Sequence, residues 1–417
     1  MKIMLISINY WPEVTGIGAF TTYRAEYLAR AGHDVEVCTT YPYYPEWRVK
    51  DSYRRKFWFS ESRYSVKIFR VWSYIPQKVR SLTRIIHEGS FALSILIRAL
   101  FIAKPDVMLV VSPPLGLAIV AIVLSKIWGV PYVFDVEDLQ PDSAADMGML
   151  PKWMIKILYS IEDAAYSHAA LISTITKGMS EKIASKGSWG DKIVLFEPRM
   201  DPSLLDLSSF DADNFREKYN LKNKFIVTHS GNIGVKQALT TLIECAAIVK
   251  LNQKIVFLLI GDGAMKEDIQ KKAENAGLDN VMFLPLLGEA DYRGALAASG
   301  VCVVTQQKMV SEIAFPSKIV SYLSAGCPVI VSANKNSEVS LVVRDSGAGM
   351  VVPAEDALLL ADAIQNIMKQ DISNLKIKAR NYACMRWSES RVLRYIEKCL
   401  VGASGNFVHY ATQEEEN

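Results

Sequence analysis

Short apolar runs alternate with amphipathic stretches along most of the chain, and this alternation is its main structural signal. The runs are typical of buried strands, whereas the stretches between them repeat apolar residues at helical spacing. Repeated strand–helix units predict parallel sheets with helices on both faces, an α/β fold. We predict strands at 2–8, 33–39, 66–72, 107–111, 132–135, 170–174, 193–196, 225–228, 255–260, 281–284, 301–304 and 328–331.

The helices between these strands are predicted from the same pattern and from Gly and Pro positions. In the first of them, 18–30, we assign Ala19, Tyr23, Tyr27 and Leu28 to the buried side. The others are predicted at 82–103, 115–128, 152–167, 237–251, 265–276 and 291–298, followed by a short helix with Pro316 at its first position and Gly326 at its end.

The pattern breaks near residues 197–202, and the chain is polar at 208–213. Since 417 residues exceed one ordinary core, we predict two domains of the same architecture with a hinge at this break. The predicted parts are a first domain at 1–200, a second at 201–385, an amphipathic closing helix at 386–401 that includes Trp387, and a disordered tail at 402–417.

Two apolar segments fit buried elements better than membrane segments. The run at the N-terminus is too short for a signal peptide and leads into polar residues. The region 107–128 is interrupted by Ser112-Pro113-Pro114 and Lys126, so we predict a strand and a helix there. The six cysteines form no CxxC pair, and we interpret them as reduced core residues of a cytoplasmic protein without a zinc site.

Positive charge is concentrated in the basic, aromatic segment 47–84. Eleven Lys and Arg residues between Arg48 and Arg84 are accompanied by only Asp51 and Glu61, and aromatic residues lie among them. Cationic and aromatic side chains together favour the surface of an anionic bilayer. Nucleic acid is the rival partner for such a segment, but the diphosphate-binding loops described below argue against it. The third interpretation is a solvated loop.

Three loops in the second half have features that suit a diphosphate. The loop after strand 225–228 contains Gly231, Asn232 and Lys236, so its backbone allows close approach and its lysine supplies charge. A second loop carries Asp262 and Gly263, and the strand ending at Leu284 lies on the same sheet edge, where ligands of open parallel sheets bind. The third is Pro316-Ser317-Lys318 at a predicted helix start.

The loop after the first strand contains Gly16 and Gly18 but lacks a third glycine. The second strand also ends without a carboxylate to bind a ribose, so NAD and FAD are not predicted. We interpret these glycines as allowing a substrate to approach the backbone rather than as a plain turn.

The motifs GNIG…K, GDG and PSK…AGxPVI, with the first glycine loop and the closing helix, resemble GT-B glycosyltransferases of family 4, over about residues 1–400. The most similar subgroup builds O-antigen, capsule or colanic-acid repeat units in bacteria. The resemblance implies two Rossmann-like domains, an acceptor site in the first, a nucleotide-sugar site in the second, and a last helix that crosses back to the first. It also implies retaining transfer without a metal or other cofactor.

Carried over by position, the resemblance assigns the donor diphosphate to Gly231 and Lys236, assisted by Ser317 and Lys318. Asp262, Gly263 and Leu284 would border the base, and Gly16 and Gly18 would admit the donor phosphate. The complete candidate set also includes Asn232 and Pro316 for donor binding, and Lys236 and Lys318 for leaving-group stabilisation.

Two positions depart from the family pattern. Ser321 stands where many relatives carry a ribose-binding glutamate, and Glu312 is one residue out of register with the other glutamate of that pair. A histidine near the reacting sugar is replaced by an acidic cluster, from which we select Asp138 first and Glu137 second for acceptor chemistry. The structural alternative is that one acid caps the next helix and another pairs with a lysine.

The predicted function is transfer of a hexosyl or N-acetylhexosaminyl group from a UDP-sugar, with GDP next, to a polyprenyl-diphosphate-linked saccharide in surface-polysaccharide synthesis. We expect a peripheral protein on the cytoplasmic leaflet. The only tight DxD, Asp211-Ala212-Asp213, is interpreted as solvated rather than as a metal site. Two alternatives remain open at this point: a nucleotide-sugar epimerase of the same fold, and a non-catalytic sugar-nucleotide-binding membrane scaffold.

Overall fold

The structure is a computed structural model that describes residues 1–13, 16–49, 51–53, 57–78, 80–146, 148, 150–205, 212–309 and 315–405. The chain forms two compact units. The chain passes from the first unit to the second between Glu197 and Pro198, and returns to the first at Val392. The predicted boundary after residue 200 lies close to the first of these points.

The first unit contains one eight-stranded sheet. Its strands are β1 (Lys2–Ile6), β2 (Asp34–Thr40), β3 (Trp58–Arg63), β4 (Val66–Val71), β5 (Val107–Ser112), β6 (Tyr132–Val136), β7 (Leu171–Thr174) and β8 (Ile193–Leu195). The strand order is β3-β4-β2-β1-β5-β6-β7-β8. The edge strand β3 is antiparallel to β4, and the other described strands of this sheet pair in parallel. Every residue of β5 is buried, which explains its uninterrupted apolar sequence.

The second unit contains a six-stranded parallel sheet. Its strands are β9 (Phe225–Ser230), β10 (Ile255–Ile260), β11 (Val281–Leu284), β12 (Val301–Thr305), β13 (Val329–Ser332) and β14 (Gly349–Val352). The order is β11-β10-β9-β12-β13-β14. Ser230, Ile260 and Leu284 are paired across the last positions of β9, β10 and β11, so the loops that follow these strands start at one edge.

Helices occupy most of the chain between the strands. They are α1 (Gly16–Arg30), α2 (Ser81–Ala99), α3 (Leu117–Trp128), α4 (Gln140–Asp146), α5 (Lys152–His168), α6 (Lys177–Ala184), α7 (Ala212–Lys218), α8 (Leu239–Ile248), α9 (Lys266–Asn275), α10 (Glu289–Ala298), α11 (Lys318–Ser324), α12 (Glu338–Ser346), α13 (Ala357–Met368), α14 (Ser373–Trp387) and α15 (Glu389–Ala403). In the described part of the chain, none of them is both long and apolar enough to cross a bilayer.

The end of α15 belongs to the first unit, where its apolar stripe joins the core. Leu393 and Ile396 are each 1% exposed and pack in the same cluster as Leu5 of β1. The helix is also held by Glu397, which is 3.1 Å from both the Tyr27 hydroxyl and His33 Nε2. A helix with apolar residues three and four apart buries one face in this way.

Several predicted boundaries were wrong. Trp387 does not belong to the closing helix: it ends α14 and is buried in the core of the second unit, because an extended residue, Ser388, separates the two helices. The predicted helix 237–251 starts later, since Ala238 adopts a left-handed conformation between a short turn and α8. Helix 82–103 ends at Ala99.

Other differences are local. On α1 the fully buried residues are Gly18, Thr21, Arg24, Ala25 and Leu28, whereas Ala19, Tyr23 and Tyr27 are only partly buried. Strand β3 was not predicted, because its exposed and partly buried residues carry no apolar run. Cys384 is exposed, unlike the other five cysteines. Helix α15 runs to Ala403, past the predicted start of the tail.

Three predicted features fall wholly or largely outside the described residues. The centre of the hinge at 206–211, Asp211 of the DxD, and 406–417 of the tail have no structural description here. The region 107–128 is described in full, and it forms strand β5 and helix α3 as predicted.

We predict that Leu393→Ala lowers the free energy of unfolding by about 2–5 kcal/mol, because it leaves a cavity in the core of the first unit. Urea unfolding followed by circular dichroism measures this change. The matched control, Lys398→Ala, alters an exposed position of the same helix and should change the free energy by less than about 0.5 kcal/mol. Equal effects of the two substitutions would contradict the observed burial of α15.

Candidate active site

Two glycine loops at the edge of the second sheet are packed backbone against backbone. The amide of Gly231 donates to the Ile260 carbonyl at 2.9 Å, and the amide of Ile233 donates to the Asp262 carbonyl at 2.8 Å. A Cβ at Gly261 would lie 2.0 Å from the Gly231 carbonyl oxygen. One at Gly263 would lie 2.4 Å from the carbonyl oxygen of Ile233. Side chains at these two positions are therefore excluded by backbone atoms.

The backbone conformation of these glycines supports the same conclusion. Gly231, Gly261 and Gly263 have φ angles of +116°, +142° and +155°, which residues with a side chain rarely adopt. The sequence interpretation assigned Gly231 and Gly263 to ligand approach. The structure shows that Gly261 and Gly263 are required by loop packing, whereas Gly231 faces the Lys318 side chain.

Lys318, the first residue of α11, places its ammonium beside the glycine loop. A Cβ at Gly231 would lie 3.4 Å from Lys318 Cε and 3.5 Å from its Nζ. The Nζ also lies 3.0 Å from Nε2 of His229, the penultimate residue of β9. Within the described residues, no carboxylate lies within 4.0 Å of this ammonium. The predicted pairing of the PSK segment with the GNIG loop is thus present in the geometry.

Burial shifts the pKa values of this lysine and histidine downward. Loss of solvent around Lys318 lowers its pKa to about 7. The pKa of His229 is well below its usual value, because the ring is fully buried and lies beside Lys318. His229 is therefore a neutral imidazole whose Nε2 accepts a hydrogen bond from Lys318. The arrangement leaves the other protons of the ammonium available to an anion.

Lys236 lies on the same loop in a short 3₁₀ turn, Val235–Gln237. Its side chain is partly buried, and its carbonyl accepts from the Gln307 amide at 3.1 Å. Among the residues described, Lys236 has no carboxylate partner within 4.0 Å. The loop thus carries a second cation that is not neutralised by a carboxylate.

The proposed base-binding residues lie together at the neighbouring strand ends. Asp262 is exposed, accepts from the Gly263 amide at 2.8 Å, and is 3.6 Å from the Lys266 ammonium. The Leu284 carbonyl accepts from the Gly261 amide at 3.0 Å, so this residue holds the second loop in place. Asn232 is exposed, and its Oδ1 would lie 2.5 Å from a Cβ at Gly263.

The segment before α11 differs from its prediction. Pro316 does not occupy the first helical position: the helix begins at Lys318, after Ser317. Ser317 is exposed and its hydroxyl makes no capping hydrogen bond. Ser321 is partly buried one turn further along the helix and lies near the Tyr292 hydroxyl. Glu312 lies outside the described residues.

In the first unit, the acidic cluster at the end of β6 is dominated by a buried ion pair. Arg24 Nη1 lies 2.5 Å from Asp135 and 2.8 Å from Glu137, and the arginine side chain is 1% exposed. Burial and the neighbouring Asp135 raise the pKa of Glu137 to about 8, against the opposing effect of Arg24. Glu137 is thus tied to a structural cation, which the sequence interpretation did not anticipate.

Asp138 and Asp142, which belong to the same cluster, have different surroundings. Asp138 is partly buried and accepts from the Ser143 hydroxyl at 3.2 Å. Asp142 pairs with Lys186, so the structural alternative holds for this acid. Of the two acids selected from sequence, Glu137 is the one that pairs with Arg24.

The glycines of the first loop have separate roles. Gly16 begins α1 with a left-handed φ of +57°, and a Cβ there would meet no atom within 4 Å. A Cβ at Gly18 would lie 2.9 Å from the Glu13 carbonyl oxygen. Gly18 therefore permits the close packing of Glu13 against α1.

Comparisons with known families agree with this geometry. Residues 15–198 match the family described as "Glycosyl transferase 4-like domain", and residues 211–383 match "Glycosyl transferases group 1". The chain is 30% identical over 410 residues to a protein of Escherichia coli (strain K12) named "Putative colanic acid biosynthesis glycosyl transferase WcaI", covering 94% of this chain and 98% of the relative. The chain belongs to the GT-B glycosyltransferases of family 4.

Solved structures support the fold of this glycosyltransferase. A sucrose-phosphate synthase from Thermosynechococcus elongatus matches with a TM-score of 0.77 at 16% identity, covering 97% of this chain and 100% of the other. Anabaena Alr3699/HepE in complex with UDP-glucose matches with a TM-score of 0.72 at 16% identity, covering 96% and 100%. The predicted fold class is confirmed, and transferase activity takes precedence over the epimerase and scaffold alternatives.

The sequence interpretation missed several residues that surround the candidate site of the glycosyltransferase. The contact between His229 and Lys318 spans 89 positions and leaves no local sequence signal. Tyr322 donates and accepts hydrogen bonds around Ser230 at the end of β9. Arg24 was missed because a charged side chain gives no apolar signal, and the predicted buried side of α1 did not include it.

We predict that Gly261→Ala lowers the free energy of unfolding by about 2 kcal/mol or more, because its Cβ collides with backbone and φ is unfavourable. Urea unfolding of wild type, Gly261→Ala and a control variant measures the change in this free energy. Gly288→Ala is the matched control, since its Cβ would meet no atom within 4 Å and its φ is negative. A Gly261→Ala protein as stable as the control would show that the loop contact does not constrain this position.

Proposed function

We propose that this glycosyltransferase transfers a hexosyl or N-acetylhexosaminyl group from a UDP-sugar to a polyprenyl-diphosphate-linked saccharide during surface-polysaccharide synthesis. The donor part of the proposal rests on the Lys318 ammonium, which lies beside Gly231. No carboxylate of the described residues lies within 4.0 Å of this ammonium. A diphosphate is the ligand that supplies such a charge partner. UDP is favoured over GDP because the HepE structure of the same fold is a UDP-glucose complex.

The acceptor and pathway parts of the proposal are supported by a relative rather than by geometry. The E. coli relative is named for colanic acid biosynthesis and covers nearly the whole chain. The named relative therefore favours a saccharide acceptor over a small metabolite.

In the proposed reaction, configuration is retained and the departing diphosphate accepts the proton of the acceptor hydroxyl. Lys318 and Lys236 would stabilise negative charge on the leaving group, which makes a metal ion and other cofactors unnecessary. Asp138 would orient the acceptor hydroxyl. Glu137, held by Arg24, would add negative electrostatic potential near that hydroxyl. Together with Lys236 and Lys318, the proposed donor-binding residues are Gly16, Gly18, Gly231, Asn232, Asp262, Gly263, Leu284, Pro316, Ser317 and Ser321.

The donor site is tested by replacing Lys318 and Lys236 separately with Met. Isothermal titration with UDP and GDP in EDTA should give roughly 10–100-fold weaker binding in each variant, because a hydrogen bond from a charged donor is lost. Lys335→Met, at an exposed position of the same unit, is the control and should bind normally. Wild-type protein that binds neither nucleotide, with or without Mg²⁺, would overturn the proposed donor class.

The pKa of Lys318 predicts a pH dependence of donor binding. In the free protein this pKa is about 7, and a bound diphosphate would raise it by favouring the ammonium. Binding then takes up a proton, so affinity is highest below pH 7 and falls by up to about tenfold per pH unit above it. Titration with UDP-glucose is suitable, since its diphosphate does not titrate in this range. The slope should vanish in Lys318→Met, and an unchanged slope there would contradict the assignment.

We further propose that the first unit docks on an anionic membrane surface, at the cytoplasmic leaflet. Helix α2 exposes apolar side chains along its length, and the basic, aromatic segment 47–84 exposes several aromatic rings. Arg80 and Arg84 lie at the start of the same helix and are exposed. Apolar insertion combined with cationic residues suits a bilayer interface. The exposed apolar residues of α2 are Leu82, Ile85, Ile86, Leu93 and Ile97.

Flotation with phosphatidylglycerol vesicles tests this docking. We predict that Leu82→Glu combined with Leu93→Glu reduces vesicle binding at least about tenfold, since charge is introduced at two apolar positions that are 68% and 60% exposed. Leu251→Glu, at a residue of the second unit that is 90% exposed, is the matched control and should float like wild type. Binding that is insensitive both to salt and to the α2 substitutions would contradict docking through this face.

A further inference from the structure

The second sheet changes its direction of winding between β9 and β12. From β9 the chain continues to β10 and β11 on one side, and it then crosses to β12 on the other side. In open parallel sheets such a reversal leaves a crevice at the carboxyl ends of the two strands, where ligands bind. The glycine loop with Gly231 follows β9, and α11 with Lys318 follows β12. The two parts of the proposed diphosphate site therefore follow the two strands that border this crevice.

Strands β9 and β12 separate before β9 ends. Among the described residues, their pairing stops at Thr228 and Cys302, whereas β9 stays paired with β10 as far as Ser230. The Gly231 amide donates to the Ile260 carbonyl of β10, so the preceding amide, that of Ser230, faces away from β10. This buried amide needs an acceptor that β12 does not supply.

Tyr322 of α11 supplies that acceptor. Its hydroxyl oxygen accepts from the Ser230 amide at 2.7 Å and lies 3.0 Å from Ser230 Oγ. The tyrosine is fully buried, and burial raises the pKa of its phenol well above the usual value, so the hydroxyl keeps its proton. A neutral hydroxyl both donates and accepts, which satisfies the two contacts together. The helix that follows β12 is thus hydrogen-bonded to the end of β9.

Tyr322 and Lys318 lie on the same face of α11. Residues four apart on a helix project from one face and are separated by about 6 Å along the axis. Lys318 Nζ lies 3.0 Å from His229 Nε2 and would lie 3.5 Å from a Cβ at Gly231. The two side chains therefore meet three consecutive residues, 229–231. The position of α11 determines how far the ammonium lies from the glycine loop.

The hydroxyl of Tyr322 gives α11 a directional constraint. Ile319, Val320 and Leu323 anchor the helix by burial in the core of the second unit. Apolar burial is non-directional, whereas a hydrogen bond restricts both a distance and an angle. The Lys318 ammonium also contacts this region, but an anionic ligand would compete for its protons. The contact between Tyr322 and Ser230 uses no group that such a ligand needs.

We propose that Tyr322 is a positioning residue of the transfer reaction. Its hydroxyl, bound to the Ser230 amide, sets the distance between the Lys318 ammonium and the glycine loop at which the donor diphosphate is bound. The inference rests on the proposed function for the identity of the donor. Tyr322 does not touch the ligand and acts through Lys318 and Gly231.

The experiment compares two buried tyrosines of the full-length protein. Tyr322→Phe removes the hydroxyl and keeps the ring. Tyr132→Phe is the matched control, because Tyr132 is fully buried in the first unit and its hydroxyl donates to the Ala165 carbonyl at 2.7 Å. Isothermal titration with UDP in EDTA is carried out for wild type and both variants. It is repeated for Lys318→Met with and without Tyr322→Phe.

We expect Tyr322→Phe to bind UDP about tenfold more weakly than wild type, a change that corresponds to about 1.4 kcal/mol. In the Lys318→Met background the same substitution should change the affinity by less than about twofold, because the residue through which Tyr322 acts is absent. A purely structural role would lower the affinity equally in both backgrounds. Tyr132→Phe should lower the urea midpoint of unfolding, as Tyr322→Phe does, and leave UDP affinity unchanged.

Hydrogen exchange of the wild type provides a measurement that does not depend on the folding of any variant. Without UDP, the Ser230 amide should exchange as slowly as the Val227 amide within β9, since both are hydrogen-bonded and buried. Mass spectrometry with residue-level fragmentation records both rates. Exchange of the Ser230 amide at the rate of an unstructured peptide would overturn the proposal.

Two titration results would also overturn it in a wild-type protein that binds UDP. One is equal affinity of wild type and Tyr322→Phe, and the other is an equal loss with and without Lys318. Failure of the proposed donor class has a different signature. In that case the wild type binds neither UDP nor GDP, and the positioning role is rejected together with the donor site.

Discussion

The close approach of two backbone loops is the constraint on which the candidate donor site depends. Gly261 and Gly263 allow the loop after β10 to lie against Gly231 and Ile233, and hydrogen bonds between backbone groups hold the contact. The contact fixes the backbone at Gly231, and the absence of a side chain there leaves room for the Lys318 ammonium. Gly261 and Gly263 therefore permit the packing of the loops, whereas Gly231 leaves space for the charged group of Lys318.

The buried cations of the two units differ in their partners, which are carboxylates for Arg24 and a histidine for Lys318. Arg24 lies between Asp135 and Glu137, so carboxylates of the first unit already compensate its charge. Lys318 instead contacts a neutral histidine, and no carboxylate among the described residues compensates its desolvation. An anionic substrate would compensate the desolvation of Lys318. This favourable interaction would exist only when the substrate is bound.

The sequence predicted the alternating architecture, both parallel sheets and the proximity of the GNIG and PSK segments, because these follow from local periodicity and from strand ends sharing one edge. It did not predict the partners of Glu137 or Lys318, since Arg24 and His229 are separated from them by 113 and 89 positions. The edge strand β3 was missed because its sequence alternates weakly between exposed and partly buried positions. Local patterns specify elements, whereas tertiary packing determines which charges are neutralised.

Helix α2 connects the proposed membrane surface to a pocket within the first unit. His87 and Glu88 line the pocket, while Leu82, Ile85 and Ile86 are exposed. A saccharide attached to a lipid in the bilayer would have to reach the enzyme close to the membrane surface. Because one helix presents apolar residues to solvent and polar residues to the pocket within two turns, docking of α2 would bring the pocket to the level at which such a saccharide emerges.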